Sequence, residues 1–86
     1  VKARWTVADE VVEAFDRCPK RERLQLLSYF ASVTDFPDNS ADHTLRGPKG
    51  RLYLVAYRGG WALTYWIDAV GDYVHFVEIE KRVRRR

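Results

Sequence analysis

Methionine is absent from this chain, cysteine occurs once, at Cys18, and histidine twice, at His43 and His75. A single thiol cannot close an intramolecular disulfide, so an oxidising compartment is not indicated and a cytoplasmic protein is expected. Two histidines and one cysteine far apart in sequence match no metal-ligand spacing, so neither a zinc site nor another cofactor is expected. Long hydrophobic runs are missing as well. No stretch approaches the roughly 20 uninterrupted apolar residues that a bilayer requires, which argues against a membrane-spanning helix. The opening Val-Lys-Ala-Arg-Trp places no apolar run behind its basic residues, so no secretory leader is expected. Without an initiator methionine, a few natural residues are expected ahead of Val1.

What is present is enough for a core. Hydrophobic residues make up 47% of the 86 residues, aromatics 14% and charged residues 31%, the profile of one compact domain rather than a disordered chain. The net charge of +3 hides an asymmetry. Residues 1–43 carry six Lys/Arg against eight Asp/Glu, a net of −2, whereas residues 44–86 carry nine against four, a net of +5. The basic half ends in Lys81-Arg82-Val83-Arg84-Arg85-Arg86. Such a bias points to a polyanion or an acidic protein as partner, with a solvated, solubilising tail as the plainer alternative.

Periodicity orders the elements. Thr6 and Asp9 stand at capping-box spacing. Val7, Val11, Phe15 and Cys18 then recur at helical spacing, with Val12 beside them, while Glu10, Glu13, Asp16 and Arg17 point elsewhere. Pro19 ends that helix and opens a second one, which presents Leu24, Leu27 and Ala31 flanked by Leu26, Phe30 and Val33. Residues 34–50 are rich in turn formers and read as one long connection. Beyond them the period changes to two. Strands are expected over 51–57, 61–67 and 73–80, joined by turns at Arg58-Gly59-Gly60 and Asp68–Asp72. The expected architecture is α+β: an N-terminal helical hairpin packed on a twisted antiparallel β-sheet meander, with a short strand over Lys2–Thr6 covering one sheet edge.

Leu45-Arg46-Gly47 before a strand, Gly60 opening the next, Tyr65 near its end and Lys81-Arg82 after the last strand form an ordered set. In this set, within this architecture, the chain resembles the RelE/ParE superfamily of toxins from toxin–antitoxin modules. The resemblance covers most of the chain and implies one RelE/ParE-like domain over 1–86. It also implies a cognate antitoxin as partner, and either translated mRNA at the ribosome or DNA gyrase as target. Three departures bear on mechanism. Tyr53 and Val55 stand where RelE-like ribonucleases carry lysines, Gly60-Trp61-Ala62 replaces Gly-Tyr-Arg, and no aromatic residue follows Arg82. Arg82 alone keeps a family catalytic position.

Cutting RNA takes cations on the phosphate, a base for the 2′-hydroxyl and an acid for the leaving oxygen. Arg46, Lys49, Arg51, Arg58, Lys81 and Arg82 are the candidate nucleic-acid-binding cations. Arg51 and Arg82 are expected to share one concavity with Arg46. Arg82, Arg51 and His43 form the candidate catalytic set. His75, between Val74 and Phe76, reads as a hydrogen-bonded sheet histidine, Glu78 and Glu80 as partners of Lys or Arg, and Cys18 as core. Strand parity groups Leu52, Leu54 and Ala56 with Trp61, Leu63, Tyr65 and Ile67 on the helix-covered side. Tyr53, Val55, Tyr57, Ala62, Thr64 and Trp66 then form an open face, and Tyr53, Tyr57 and Trp66 are its candidate antitoxin contacts. The reverse parity is the alternative. Two functions stay open: a RelE-type mRNA endoribonuclease with a substituted catalytic set, and a non-enzymatic module of the same fold that poisons gyrase or only binds an antitoxin.

Overall fold

The computed structural model describes residues 4–82. Strand β1 (Arg4–Val7) leads into helices α1 (Asp9–Asp16) and α2 (Lys20–Asp35) and a single helical turn, α3 (Pro37–Ser40). Four strands follow: β2 (His43–Arg46), β3 (Leu52–Arg58), β4 (Trp61–Asp68) and β5 (Tyr73–Lys81). They make a five-stranded sheet in the order β1-β5-β4-β3-β2. Strands β2 to β5 form an antiparallel meander, and β1 adds in parallel to the outer side of β5. The three strands expected from the period-two pattern are β3, β4 and β5. The expected edge strand is β1; Lys2 at its expected start, and the terminal 83–86, lie outside the described residues. Among the described residues no helix is long and apolar enough to cross a membrane.

The local signals of the helical hairpin resolve differently from expectation. Thr6 does not cap α1, because it belongs to β1 and its hydroxyl pairs with His75 instead. The N-cap is Ala8, whose carbonyl accepts the Val11 and Val12 N–H groups, and Asp9 and Glu10 favour the positive end of the helix. Pro19 separates the helices and caps α2, as expected. Cys18 packs against the core, and its partial burial pushes the thiol above its ordinary pKa.

Helix α2 buries Leu26, Phe30 and Val33 rather than the expected Leu24, Leu27 and Ala31. Leu24 is 58% and Leu27 40% exposed. The reason is aromatic. The chosen face sets the Phe30 ring 4.6 Å from Phe76 and 5.2 Å from Trp5, a larger burial than either leucine could supply.

The long connection over 34–50 is also structured. Helix α2 runs on to Asp35, Pro37 opens α3, and Thr44 and Leu45 pair with Leu54 and Tyr53 of β3. Asp42 anchors this segment, donating its N–H to the Val55 carbonyl at 2.7 Å and accepting the Tyr57 N–H at 2.7 Å. Gly59 and Gly60 turn β3 into β4 with φ of 56° and 86°, a conformation suited to a two-residue hairpin. A side chain at Gly59 would collide with the Tyr29 hydroxyl.

The core lies between the helices and one face of the sheet. Val11, Leu26, Phe30 and Val33 meet Leu54, Ala56, Trp61, Leu63, Tyr65, Val74, Phe76 and Ile79. The expected strand parity holds, with Leu52 as an exception at 44% exposed, since it pairs with the exposed edge residue Arg46. A β-bulge interrupts the β4–β5 ladder: Thr64 pairs with Glu78 but Tyr65 with Phe76, leaving Val77 unmatched. The extra residue keeps both Phe76 and Ile79 on the core side. Glu78 and Glu80 share the opposite face, yet among the described residues neither joins an ion pair.

Phe30→Ala should lower the unfolding free energy by about 3–5 kcal/mol, as for other buried aromatics. Leu24→Ala should change it by less than about 0.5 kcal/mol. Urea denaturation of the two variants checks the pair; equal losses would mean that the Leu24 side of α2 carries the packing.

Candidate functional site

The register places a second set of side chains on the face that, among the described residues, no helix covers. Thr6 lies opposite His75, Trp66 opposite His75, Tyr57 opposite Ala62, and His43 opposite Val55. The expected open aromatic surface is therefore real in parity but not bare. Val55 is only 4% exposed, and the large rings around it are half-buried.

The rings are covered by cations. The Arg51 guanidinium lies 3.8 Å above the Trp66 ring, and Trp66 stacks on His75 with centroids 4.3 Å apart. His75 stacks in turn with Tyr73 at 5.8 Å, and the Arg4 guanidinium closes the column 4.7 Å over Tyr73. One row thus reads Arg51, Trp66, His75, Tyr73, Arg4, running from the start of β3 across β4 and β5 to β1. A second cluster sits nearer the β3–β4 hairpin. The Arg82 guanidinium lies 4.1 Å over Tyr57, whose hydroxyl is 3.2 Å from His43 Nδ1. The Arg82 N–H continues the sheet by donating to the Gly60 carbonyl at 2.7 Å. Ala62, directly across from Tyr57, contributes only a methyl group and leaves that ring face to Arg82.

Both nitrogens of His75 are engaged. Nδ1 is 2.6 Å from the Thr6 hydroxyl and Nε2 is 3.5 Å from Asp68 Oδ2. With rings on both sides and partners at both nitrogens, His75 is the hydrogen-bonded sheet histidine that its position implied. The Asp68 carboxyl is held below its ordinary pKa, first by the Gly71 backbone N–H and then by His75. Tyr65, the ordered-set tyrosine, is structural: its hydroxyl donates to the Pro37 carbonyl at 2.6 Å, and burial pushes its pKa up to about 12.

The six candidate cations divide. Arg51 and Arg82 occupy the helix-free face. Lys49 lines a cleft at the β2–β3 loop. Arg46 is paired in register with Leu52 on the other side and donates to the Gly50 carbonyl at 2.7 Å, so one concavity does not gather Arg46, Arg51 and Arg82. Arg58 is 3.6 Å from Asp42 and donates to the Tyr57 and Ser40 carbonyls. Lys81 reaches over the core side to Glu22 at 3.0 Å. Of the candidate catalytic set, His43 and Arg82 meet around Tyr57, while Arg51 stands apart over Trp66. Sequence reasoning did not find Arg4 and Tyr73. The usable signal was the alternation in β1, where Arg4 and Thr6 fall on one parity and Trp5 and Val7 on the other.

A helical hairpin on one face of this five-stranded sheet, with a cation-covered aromatic opposite face, defines a small α+β class. Within that class the fold is that of RelE toxins. The chain superposes on a protein of the RelBE2 toxin–antitoxin complex from Mycobacterium tuberculosis with a TM-score of 0.83 at 19% identity, covering 98% of this chain and 95% of that one. The archaeal RelE–RelB complex from Pyrococcus horikoshii OT3 gives 0.75 at 19% identity, covering 99% and 100%. The isolated E. coli RelE toxin gives 0.70 at 17% identity, covering 96% and 87%. At these identities the likeness is one of fold. No protein-family model matches the chain, and no curated protein matches it.

The Asp68 shift makes a prediction with a definite sign. A native carboxyl that titrates below the ordinary 3.8 means that the unfolded chain binds more protons in the acid range. The Asp68 contribution is complete above that ordinary value and is lost as pH falls through the depressed native one. Asp68→Asn should therefore flatten the acid limb of stability against pH. Denaturant midpoints measured from about pH 2 to pH 6 check this; an acid limb as steep as in the parent would count against it.

Proposed function

We propose that the chain is the toxin-like partner of an antitoxin and that it grips single-stranded RNA on the helix-free face. The observation that carries this reading is the pair of guanidinium-covered rings, Arg51 on Trp66 and Arg82 on Tyr57, on one uncovered sheet face. A guanidinium held over a ring by its cationic carbon still has N–H groups to offer a phosphate, and a base can stack where the ring is free. The half-buried Tyr53, Tyr57 and Trp66 with these arginines also suit a segment that is apolar on one side and acidic on the other. An antitoxin binding there competes with RNA. The solved structures with this fold include toxins in complex with antitoxins, which supports an antitoxin as partner.

His43, Tyr57 and Arg82 supply a route to cleavage. In the tautomer where His43 Nδ1–H donates to the Tyr57 oxygen, Nε2 is free to take the 2′-hydroxyl proton. The 2′-oxygen forms a bond to phosphorus and the bond to the 5′-oxygen breaks. That oxygen receives the Tyr57 hydroxyl proton, and Tyr57 regains one from His43 Nδ1. Arg82 balances the charge that builds on the phosphate oxygens. This set stands in for the Gly-Tyr-Arg arginine, whose place Ala62 takes.

Binding to a labelled single-stranded RNA should weaken as salt rises, by about 0.7 in log affinity per log salt for each phosphate neutralised. Arg51→Ala and Arg82→Ala should each flatten that slope by about 0.7. His43→Ala should keep the affinity and slow cleavage by about 10²- to 10⁴-fold. Salt-independent binding removes the RNA reading, and cleavage undiminished by His43→Ala removes the catalytic one.

A further inference from the structure

We propose that the cleft at the β2–β3 loop is a subsite for one nucleotide of the bound strand, a proposal that rests on the RNA reading of the helix-free face. Gly47, Pro48, Lys49, Gly50, Arg51 and Tyr53 line an open cleft of about 610 Å³. That lies within the range of small-molecule sites and is far larger than a lone phosphate requires. Among the described residues the lining holds two cations, one aromatic ring and no carboxylate. Lys49 is exposed, and among the described residues it joins no salt bridge, unlike Arg58 and Lys81.

The cleft is preformed. The Gly47 N–H donates to the Arg51 carbonyl at 2.8 Å, the Gly50 N–H to the Gly47 carbonyl at 3.0 Å, and Arg46 Nη1 to the Gly50 carbonyl at 2.7 Å. Gly50 adopts a φ of 79°, which other residues rarely hold. Gly47 has a different role: a Cβ there would stand 2.5 Å from Tyr53 Cε2, so only glycine lets the Tyr53 ring lie against the loop backbone. Arg46, away from the helix-free face, thus serves to lock the loop.

The chemistry follows from this lining. A phosphate fits between the Lys49 ammonium and the Arg51 guanidinium, whose other face is occupied by Trp66. The attached base has the Tyr53 ring to lie on. Tyr53 and Tyr57 are four residues apart on β3, or about 13 Å at the usual strand rise. The cleft is thus too far from the His43–Tyr57–Arg82 cluster to hold the phosphate that is cut there. It holds a neighbouring nucleotide and sets which sequence is presented for cutting.

Amide chemical shifts of the isotopically labelled protein, titrated with adenosine 5′-monophosphate, inorganic phosphate and a short single-stranded RNA, test the assignment. The nucleotide should shift residues 47–51 and Tyr53, and inorganic phosphate should do so only at much higher concentration. Lys49→Ala should weaken both the nucleotide and the RNA by about tenfold, the effect of one charge-assisted contact. Gly47→Ala should abolish the nucleotide shifts; Lys49→Ala, on an exposed side chain, keeps the test valid if Gly47→Ala fails to fold. Wild-type protein that binds RNA with the cleft amides unmoved and Lys49→Ala without effect overturns the subsite and leaves the RNA reading standing. Equal affinity for inorganic phosphate, or an acidic peptide that shifts the same amides at lower concentration than the nucleotide, also overturns it. Wild-type protein that binds neither RNA nor nucleotide overturns both.

Discussion

A sheet has two faces, and among the described residues helices cover only one of them. Helices α1 and α2 lie on the side where Phe30, Phe76, Trp5 and Tyr65 interlock. The other side still carries strand-forming aromatics, because β-propensity favours them on either parity. Left bare, those rings would be an aggregation surface. The molecule resolves this by laying guanidinium groups and imidazoles on them. The same solution aligns cations in fixed positions, so part of the side-chain ordering needed to bind an anion is already completed during folding.

The bulge at Thr64/Tyr65 divides that face into its two working parts. On one side of it stands the column from Arg51 through Trp66 and His75 to Arg4, and on the other the group of His43, Tyr57 and Arg82. Without the unmatched Val77, a one-residue slip would turn Ile79 outward and push Glu78 and Glu80 toward the core. Carboxylates would then be buried beside Leu63, and the end of β5 would carry Arg82 to the wrong side. The irregularity is therefore what lets one strand serve both the core and the cationic cluster.

Several features were readable along the chain for direct physical reasons. The change from helical to two-residue period near Arg51 marks where the backbone stops pairing with itself and starts pairing across strands. Pro19 lacks the N–H that a continuing helix would need, so it had to separate α1 from α2. Gly59-Gly60 allows positive φ at successive residues, so it had to turn. Strand parity sorted Trp61, Leu63 and Tyr65 from Tyr57 and Trp66, since a two-residue repeat leaves no third option. The face of α2 was not readable in this way. Leu24 and Leu27 are as apolar as Leu26, and only the ring partners Trp5 and Phe76 decide between them.

The amino-acid sequence by itself determined the α+β order, the helical hairpin, the three-strand meander and the presence of an aromatic, cationic half. These follow from interactions between near neighbours and from periodicity. Tertiary structure alone decided that His43–Arg46 is a strand, because a four-residue edge strand gains its hydrogen bonds only from β3. It also decided that Thr6 serves His75, 69 residues away, rather than capping α1. The same holds for one of the cations. Arg82 reaches the helix-free face only because the β-bulge at Thr64/Tyr65 shifts the end of β5, and no local pattern records that.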